Sequence, residues 1–275
     1  MDKSTSSRPG IGKLTGTTLF TLEGSLASFS TETLHHHTCH QLLRIRSGTT
    51  LLVEKNWQQP LFSNMTAFIP AGLPHRSVVL GLGEPVHYKS LYMDTEYWPR
   101  AMDKIIIFDM SDLGVALFDR LRLDNPGPAT GKQDAGDNGF QNKCLDLLLT
   151  MLPGEMVRLS NITRVPVPKT PDNIKITEFI KTHFREKLSL DDFTRVVHYS
   201  PRHISRRFKQ DLGMTLFEYL ALYRIFQAAI LLSTSGDPVT RVAFAVGYES
   251  MSSFYRDFKN LFSMTPKAFC RLRVS

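Results

Sequence analysis

The sequence predicts an α+β chain of two domains, β-rich first and all-helical second. Three observations carry that prediction. From about residue 14 to 95, apolar and polar residues alternate between Gly, Pro and Asn punctuation, as in "HQLLRIRSGTTLLVE" and "TAFIPAG", which is a strand-and-turn pattern. From Ile174 onward, short helical-period segments alternate with turns. Between the two, "TRVPVPKTPDN" (163–173) holds three prolines in eleven residues. Each proline lacks an N–H and favours an extended chain, so the stretch reads as a short, semi-stiff linker. The expected division is 1–13 as a disordered N-terminus, 14–160 as the β domain, 161–173 as linker and 174–275 as the helical domain.

Composition bounds the function classes. The chain has 275 residues, 42% of them hydrophobic, enough to bury real cores. No run of about 18 apolar residues is read, so no membrane span is expected, and "MDKSTSSRPGIGK" lacks the apolar core of a secretory signal. Cys39, Cys144 and Cys270 are sparse, odd in number and without CxxC spacing, which suits a reducing cytoplasm. The net charge of +7 is uneven: residues 1–171 carry 17 Lys and Arg against 16 Asp and Glu, and residues 172–275 carry 16 against 10. The basic excess in the last hundred residues fits a polyanionic partner.

Within the first domain, "HHHTCH" comes before the first long alternating stretch. His35 and His37 alternate on what reads as a strand, so both face one way. Gln41 follows four residues later, Gly48 closes the strand, and Pro70-x-Gly72-x-x-His75 comes further on. Helical periodicity takes over near "MSDLGVALFDRLRL". A Gly-, Asp- and Pro-rich loop follows at 124–139, then an apolar helix, "FQNKCLDLLLTMLPGEMVRL". These two helices (about 112–123 and 140–152) carry the apolar stripes Leu113, Leu117, Leu121 and Leu145, Leu148, Leu149.

The helical domain repeats itself. At an offset of 50 residues, Ser200 falls on Ser250, Arg206 on Arg256, Phe208 on Phe258, Lys209 on Lys259, Met214 on Met264, Thr215 on Thr265 and Tyr219 on Phe269. Two copies of one supersecondary unit are the simplest account. In the second copy Val239–Val246 forms a helix, Gly247 stops it with a positive φ, and Ser250 caps the next. Phe254, Phe258 and Leu261 then face a core. In the first copy Ser200 caps, Pro201 takes the first helical position, and Ile204 and Phe208 face in. Outside remain Arg202, Ser205, Arg206 and Lys209 in one unit and Met251, Ser252, Arg256 and Lys259 in the other. That is helix-turn-helix logic: the apolar seam holds a helix whose polar face enters a major groove. Arg reads guanine edges, Ser serves several bases, and Lys near the helix end suits a phosphate.

These residues carry a family resemblance. "SLDDF…YSPRHISRRFKQDLGMTLFEYLALYRIFQAAILL" and "VTRVAFAVGYESMSSFYRDFKNLFSMTP" resemble the DNA-binding domain of the AraC/XylS transcription regulators, with Arg224-Ile225, Ala228, Gly247-Tyr248, Phe258-Lys259 and Thr265-Pro266 on that pattern. Thr194 stands where that pattern carries a small Ala, His198 at its usual Gly turn and Ser263 at another common Gly. The resemblance implies a long linking helix, about Leu216–Ser233, between two units that enter successive major grooves of double-stranded DNA. It further implies a bacterial cytoplasmic activator that works with RNA polymerase.

The His35, His37, Gln41 and His75 arrangement resembles the two motifs of cupins, small β-barrels that serve as sensor and dimerisation domains in AraC-type regulators. That resemblance implies an effector site built from His35, His37, His40, Gln41 and His75. Three readings stay open: a divalent metal on His35, His37 and His75, with His40 or Cys39 beside them; a small organic effector; or no ligand. Gln41 stands where a cupin metal site has a carboxylate, and an amide is the poorer ligand. The two leucine-striped helices either form a homodimer seam, as is common in that family, or cover the barrel. A cupin-type metalloenzyme fused to a DNA-binding domain is the alternative, disfavoured by the missing carboxylate. Elsewhere the sequence shows no Gly-rich phosphate loop, nucleophile elbow or paired catalytic carboxylates.

Overall fold

A computed structural model describes residues 19–26, 33–63, 65–79, 85–98, 102–123, 135–157 and 164–271. The expected N-terminal tail (1–13), most of the 124–139 loop and the first linker residues (161–163) lie outside these.

The first domain is two antiparallel sheets. One has the order β1 (Leu19–Leu26), β7 (Val86–Met93), β2 (His40–Ser47), β5 (Met65–Ile69), β8 (Ile106–Asp109). The other has the order β6 (His75–Val79), β3 (Thr49–Glu54), β4 (Trp57–Phe62), β9 (Val165–Pro166). Strand alternation divides each strand between two environments. Leu43 and Ile45 of β2 and Ala67 of β5 meet Leu52 and Leu61 of the second sheet in one core. Leu42, Phe68 and Leu91 point the other way, beneath the helices α1 (Asp112–Arg120) and α2 (Ala135–Glu155), against Phe118, Leu145, Leu148 and Leu152.

Three expectations change here. Residues 34–39 are not a strand: His35 makes a single antiparallel bridge to His75, and β2 begins only at His40. Strand β8 falls beyond the stretch, 14 to 95, that reads as β in the sequence. Ile107 and Phe108 are both buried, on opposite faces, so the alternation that would reveal a strand is missing. The linker is an edge strand as well as a spacer, since Val165 and Pro166 pair with Gln58 and Trp57.

The second domain comprises α3 (Pro171–His183), α4 (Leu190–Val197), α5 (Pro201–Leu212), α6 (Leu216–Thr234), α7 (Val239–Ala245), α8 (Met251–Phe262) and α9 (Pro266–Arg271). α3 starts three residues earlier than expected because the Thr170 side chain accepts from Asn173 N–H, and Pro171 suits the first helical position. By length and composition alone α6 could cross a membrane, although Glu218 and Arg224 interrupt its apolar residues. Here Leu216, Leu220, Ile225, Ala228, Ala229 and Leu232 are buried within the same core as Phe208 and Phe258. Its apolar surface is the seam between the two units.

Candidate nucleic-acid interface and effector site

The two units are built by the same local devices. Ser200 and Ser250 each accept a backbone N–H three residues on, from His203 and Ser253, opening α5 and α8. Both helices close on a left-handed residue, Gly213 at φ 72 and Ser263 at φ 55, whose N–H returns to Lys209 O and Lys259 O. The turns before α5 and α8 also need a positive φ, supplied by His198 at 56 and Gly247 at 91. That turn is one residue shorter in the first unit, so the offset of 50 does not extend back through it. At Gly247 a Cβ would lie 2.8 Å from the carbonyl oxygens of both Phe184 and Arg185, so only glycine fits, by angle and by space.

Packing then aims the polar faces. Ile204, Phe208 and Leu212 bury one side of α5, and Phe254, Phe258, Leu261 and Phe262 one side of α8. Arg202, Ser205, Arg206, Lys209, Ser252, Arg256 and Lys259 are exposed. Met251 differs: it is half-buried and packs partly onto the core. Arg256 is held by its neighbour Asp257, an acid that no motif in the sequence marks. Its Nε donates to Asp257 Oδ1 at 3.0 Å, while Tyr248 Oη donates to Asp257 Oδ2 at 3.0 Å. Burial and the Asp257 carboxylate push the Tyr248 hydroxyl well above its ordinary range, so it stays a donor. Arg224 of α6 locks the junction between units. Its Nε donates to Phe184 O at 2.7 Å and a terminal nitrogen to Glu186 O at 2.8 Å, closing the end of α3.

Residues 193–271 match the family described as "Helix-turn-helix domain". These residues form a helix-turn-helix domain of that family. Over 95 residues the chain is 33% identical to an uncharacterized HTH-type transcriptional regulator of Staphylococcus aureus (strain COL), covering 34% of this chain and 13% of that protein. Over 91 residues it is 33% identical to the HTH-type regulator YtdP of Bacillus subtilis (strain 168), covering 33% and 12%. The chain therefore spans about an eighth of the length of these relatives. Among solved structures, ToxT from Vibrio cholerae aligns with a TM-score of 0.37 at 11% identity, over 94% of this chain and 98% of that one. The C-terminal domain of AraT, a response regulator from Geobacillus stearothermophilus, aligns at 0.36 and 30% identity, over 38% and 87%.

Outside the helix-turn-helix domain, the β domain gathers three imidazoles. His35 and His75 exchange backbone hydrogen bonds at 2.9 and 2.8 Å, and Gly72 N–H donates to His37 O at 2.8 Å. This main-chain lacing, rather than a shared strand face, brings the rings together: their centroids are 4.6 to 5.2 Å apart, and ligand atoms of all three lie within 4.8 Å of one another. Burial, then the neighbouring imidazoles, hold His37 down to about 4. Burial outweighs a carbonyl contact to hold His75 to about 4 and His35 below its ordinary value. All three are neutral at pH 7. His75 Nδ1 donates to Leu73 O at 2.9 Å, which leaves Nε2 with its lone pair. Neutral, oriented imidazoles fit a borderline divalent metal such as zinc or nickel.

The other expected effector residues do not join them equally. His40, first in β2, turns to the helix side: its Nδ1 accepts from Ala71 N–H at 3.0 Å, and its Nε2 donates to Trp98 O at 3.1 Å. Both nitrogens are spent, so His40 pins the Pro70–Gly72 turn and is no ligand for the cluster. Gln41 Nε2 donates to Ser90 Oγ at 2.9 Å. Cys39 packs with Phe20 and Tyr92, and burial pushes its thiol up to about 11, so no thiolate is at hand.

Proposed function

We propose that the chain is a sequence-specific, DNA-binding transcriptional regulator. In this reading 14–160 is an effector-binding and dimerisation domain, 161–173 the linker and 174–275 the DNA-binding domain. The observation that carries it is the pair of recognition helices with matching exposed faces, Arg206 and Lys209 on one and Arg256 and Lys259 on the other, in the basic part of the chain. Two such helices suit two adjacent major grooves of double-stranded DNA. A bacterial cytoplasmic setting, RNA polymerase as a partner and a homodimer belong to the same reading.

The test is binding of the full chain to duplex DNA enriched from a random-sequence pool. Affinity should fall steeply between about 50 and 200 mM salt as Lys and Arg displace condensed counterions, and a sequence preference should survive. A chain that enriches no sequence, or binds without salt dependence, refutes the proposal.

For the effector, the His35, His37 and His75 cluster supports a divalent metal or a ligand carrying one. An organic effector seated on the same imidazoles is told apart by metal content of the purified protein.

A further inference from the structure

The apolar core does not stop at the domain boundary. Along β4, Gln59 and Leu61 face the interior between the sheets, so Gln58, Pro60 and Phe62 face out by alternation. That outward face is docked on the helical domain. Phe62 is 1% exposed, and its ring meets Phe262 at 5.6 Å and 69° and Phe269 at 5.4 Å and 88°. Both partners belong to the second unit, one ending α8 and one in α9. The Gln58 side chain hydrogen-bonds Tyr219 of α6.

The neighbouring strand reaches the first unit. Val165 pairs with Gln58, and Val167 N–H donates to Asn56 O at 3.0 Å. The chain then runs straight onto Asp211, in the last turn of α5. Asp211 Oδ2 accepts from Lys169 N–H at 3.2 Å, from the Thr170 N–H and hydroxyl at 3.3 Å each, and from Asn173 Nδ2 at 2.8 Å.

We propose that the β domain is a brace across both helix-turn-helix units, and that the β4–β9 strand pair thereby sets the placement of one recognition helix relative to the other. One strand grips the second unit through Phe62, and the next delivers the linker to the first unit at Asp211. The base-facing residues of α5 and α8 stay exposed in the docked arrangement, so this contact leaves the reading faces uncovered. Its effect falls on their separation and relative angle. An internal brace of this kind would make a change in the β domain felt as a change in preferred half-site spacing.

Two measurements on the full chain test it. In calorimetry, the wild type melts in one transition, because one core joins both domains. Phe62→Ala separates it into two, more than about 5 °C apart. Phe68→Leu, in the core beneath α1 and α2, lowers the single transition without splitting it. If Phe62→Ala does not fold, Phe62→Leu must show the split. Two transitions in the wild type, or one in the Phe62 variant, overturn the brace.

The second measurement rests on the regulator reading. It uses the enriched duplex with one base pair inserted between its half-sites, a shift of about 3.4 Å. The insertion should cost the wild type at least about tenfold in affinity, and Phe62→Ala or Asp211→Asn less than about threefold. An equal penalty in all three overturns the proposal. If no duplex is enriched, it is the regulator reading that fails, and melting alone decides the brace.

Discussion

His198 and Ser263 hold φ of 56 and 55, where an L side chain crowds the following carbonyl. The AraC/XylS pattern carries glycine at both. Glycine removes the clash, at the cost of a freer unfolded chain. His198→Gly and Ser263→Gly should each therefore raise stability by about 0.5–1 kcal/mol in denaturant melts. A loss at both positions would contradict the strain. Gly247→Val should act in the opposite direction, since it adds a β-branched side chain at φ 91 and a Cβ 2.8 Å from two carbonyl oxygens. On the DNA side, Arg206→Ala and Arg256→Ala should each cost roughly 1–3 kcal/mol on the enriched site and relax preference at one or two base pairs. Lys259→Ala should weaken all sequences about equally. Asp257→Asn should follow Arg256→Ala in direction but less steeply, because it loosens the arginine without removing it. Equal losses on specific and random duplex for both arginines would make them anchors and not readers.

At the scale of elements, the join between linker and α5 depends on one carboxylate. Burial raises the Asp211 pKa, but the hydrogen bonds from Asn173, Lys169 and Thr170 outweigh it and hold the group below its ordinary value of 3.8. Its contribution is therefore complete above the ordinary carboxylate range and disappears as pH falls through the lowered value. Asp211→Asn should cost about 1–2 kcal/mol near pH 7, a figure reduced for solvent screening, and the cost should vanish in acid. A difference from wild type that persists unchanged below pH 3 would mean Asp211 acts only through shape. No local pattern in the sequence points to this contact, because its partners lie about 40 residues apart in the chain. What was legible was local: Ser caps, left-handed turns and the three- and four-residue spacing of Phe254, Phe258 and Leu261. What was not legible depended on distant neighbours. Strand β8 hides in an apolar run, His40 takes its direction from β2, and Phe62 looks like any buried strand residue. The convergence of His35 and His37 on His75 comes from a backbone bridge and not from the shared strand face that the His-x-His spacing suggests.

At the scale of the whole molecule, the His35, His37 and His75 cluster lies against β6, at one edge of the sheet whose other edge strand is the linker. A ligand that binds only the folded cluster stabilises the fold by mass action, by about 2.7 kcal/mol at a concentration 100 times its Kd. Because one apolar core continues from the β sheets into α8 and α9, that stabilisation should raise the melting of the entire chain and not of the β domain alone. Zinc or nickel added to chelator-stripped protein should therefore shift the single transition upward. Chelator should reverse the shift, and His37→Ala or His75→Ala should abolish it. His40→Ala should behave differently. Both its nitrogens are committed to Ala71 and Trp98, so it should lower the starting stability yet keep a metal-dependent rise. If neither metal moves the melt of the wild type, the three imidazoles do not hold a metal. A small organic molecule that raises it and depends on the same His37 and His75 would then take the metal's place as effector. Loss of the metal shift in His40→Ala alone, with His37→Ala and His75→Ala unaffected, would move the site to the helix side of β2.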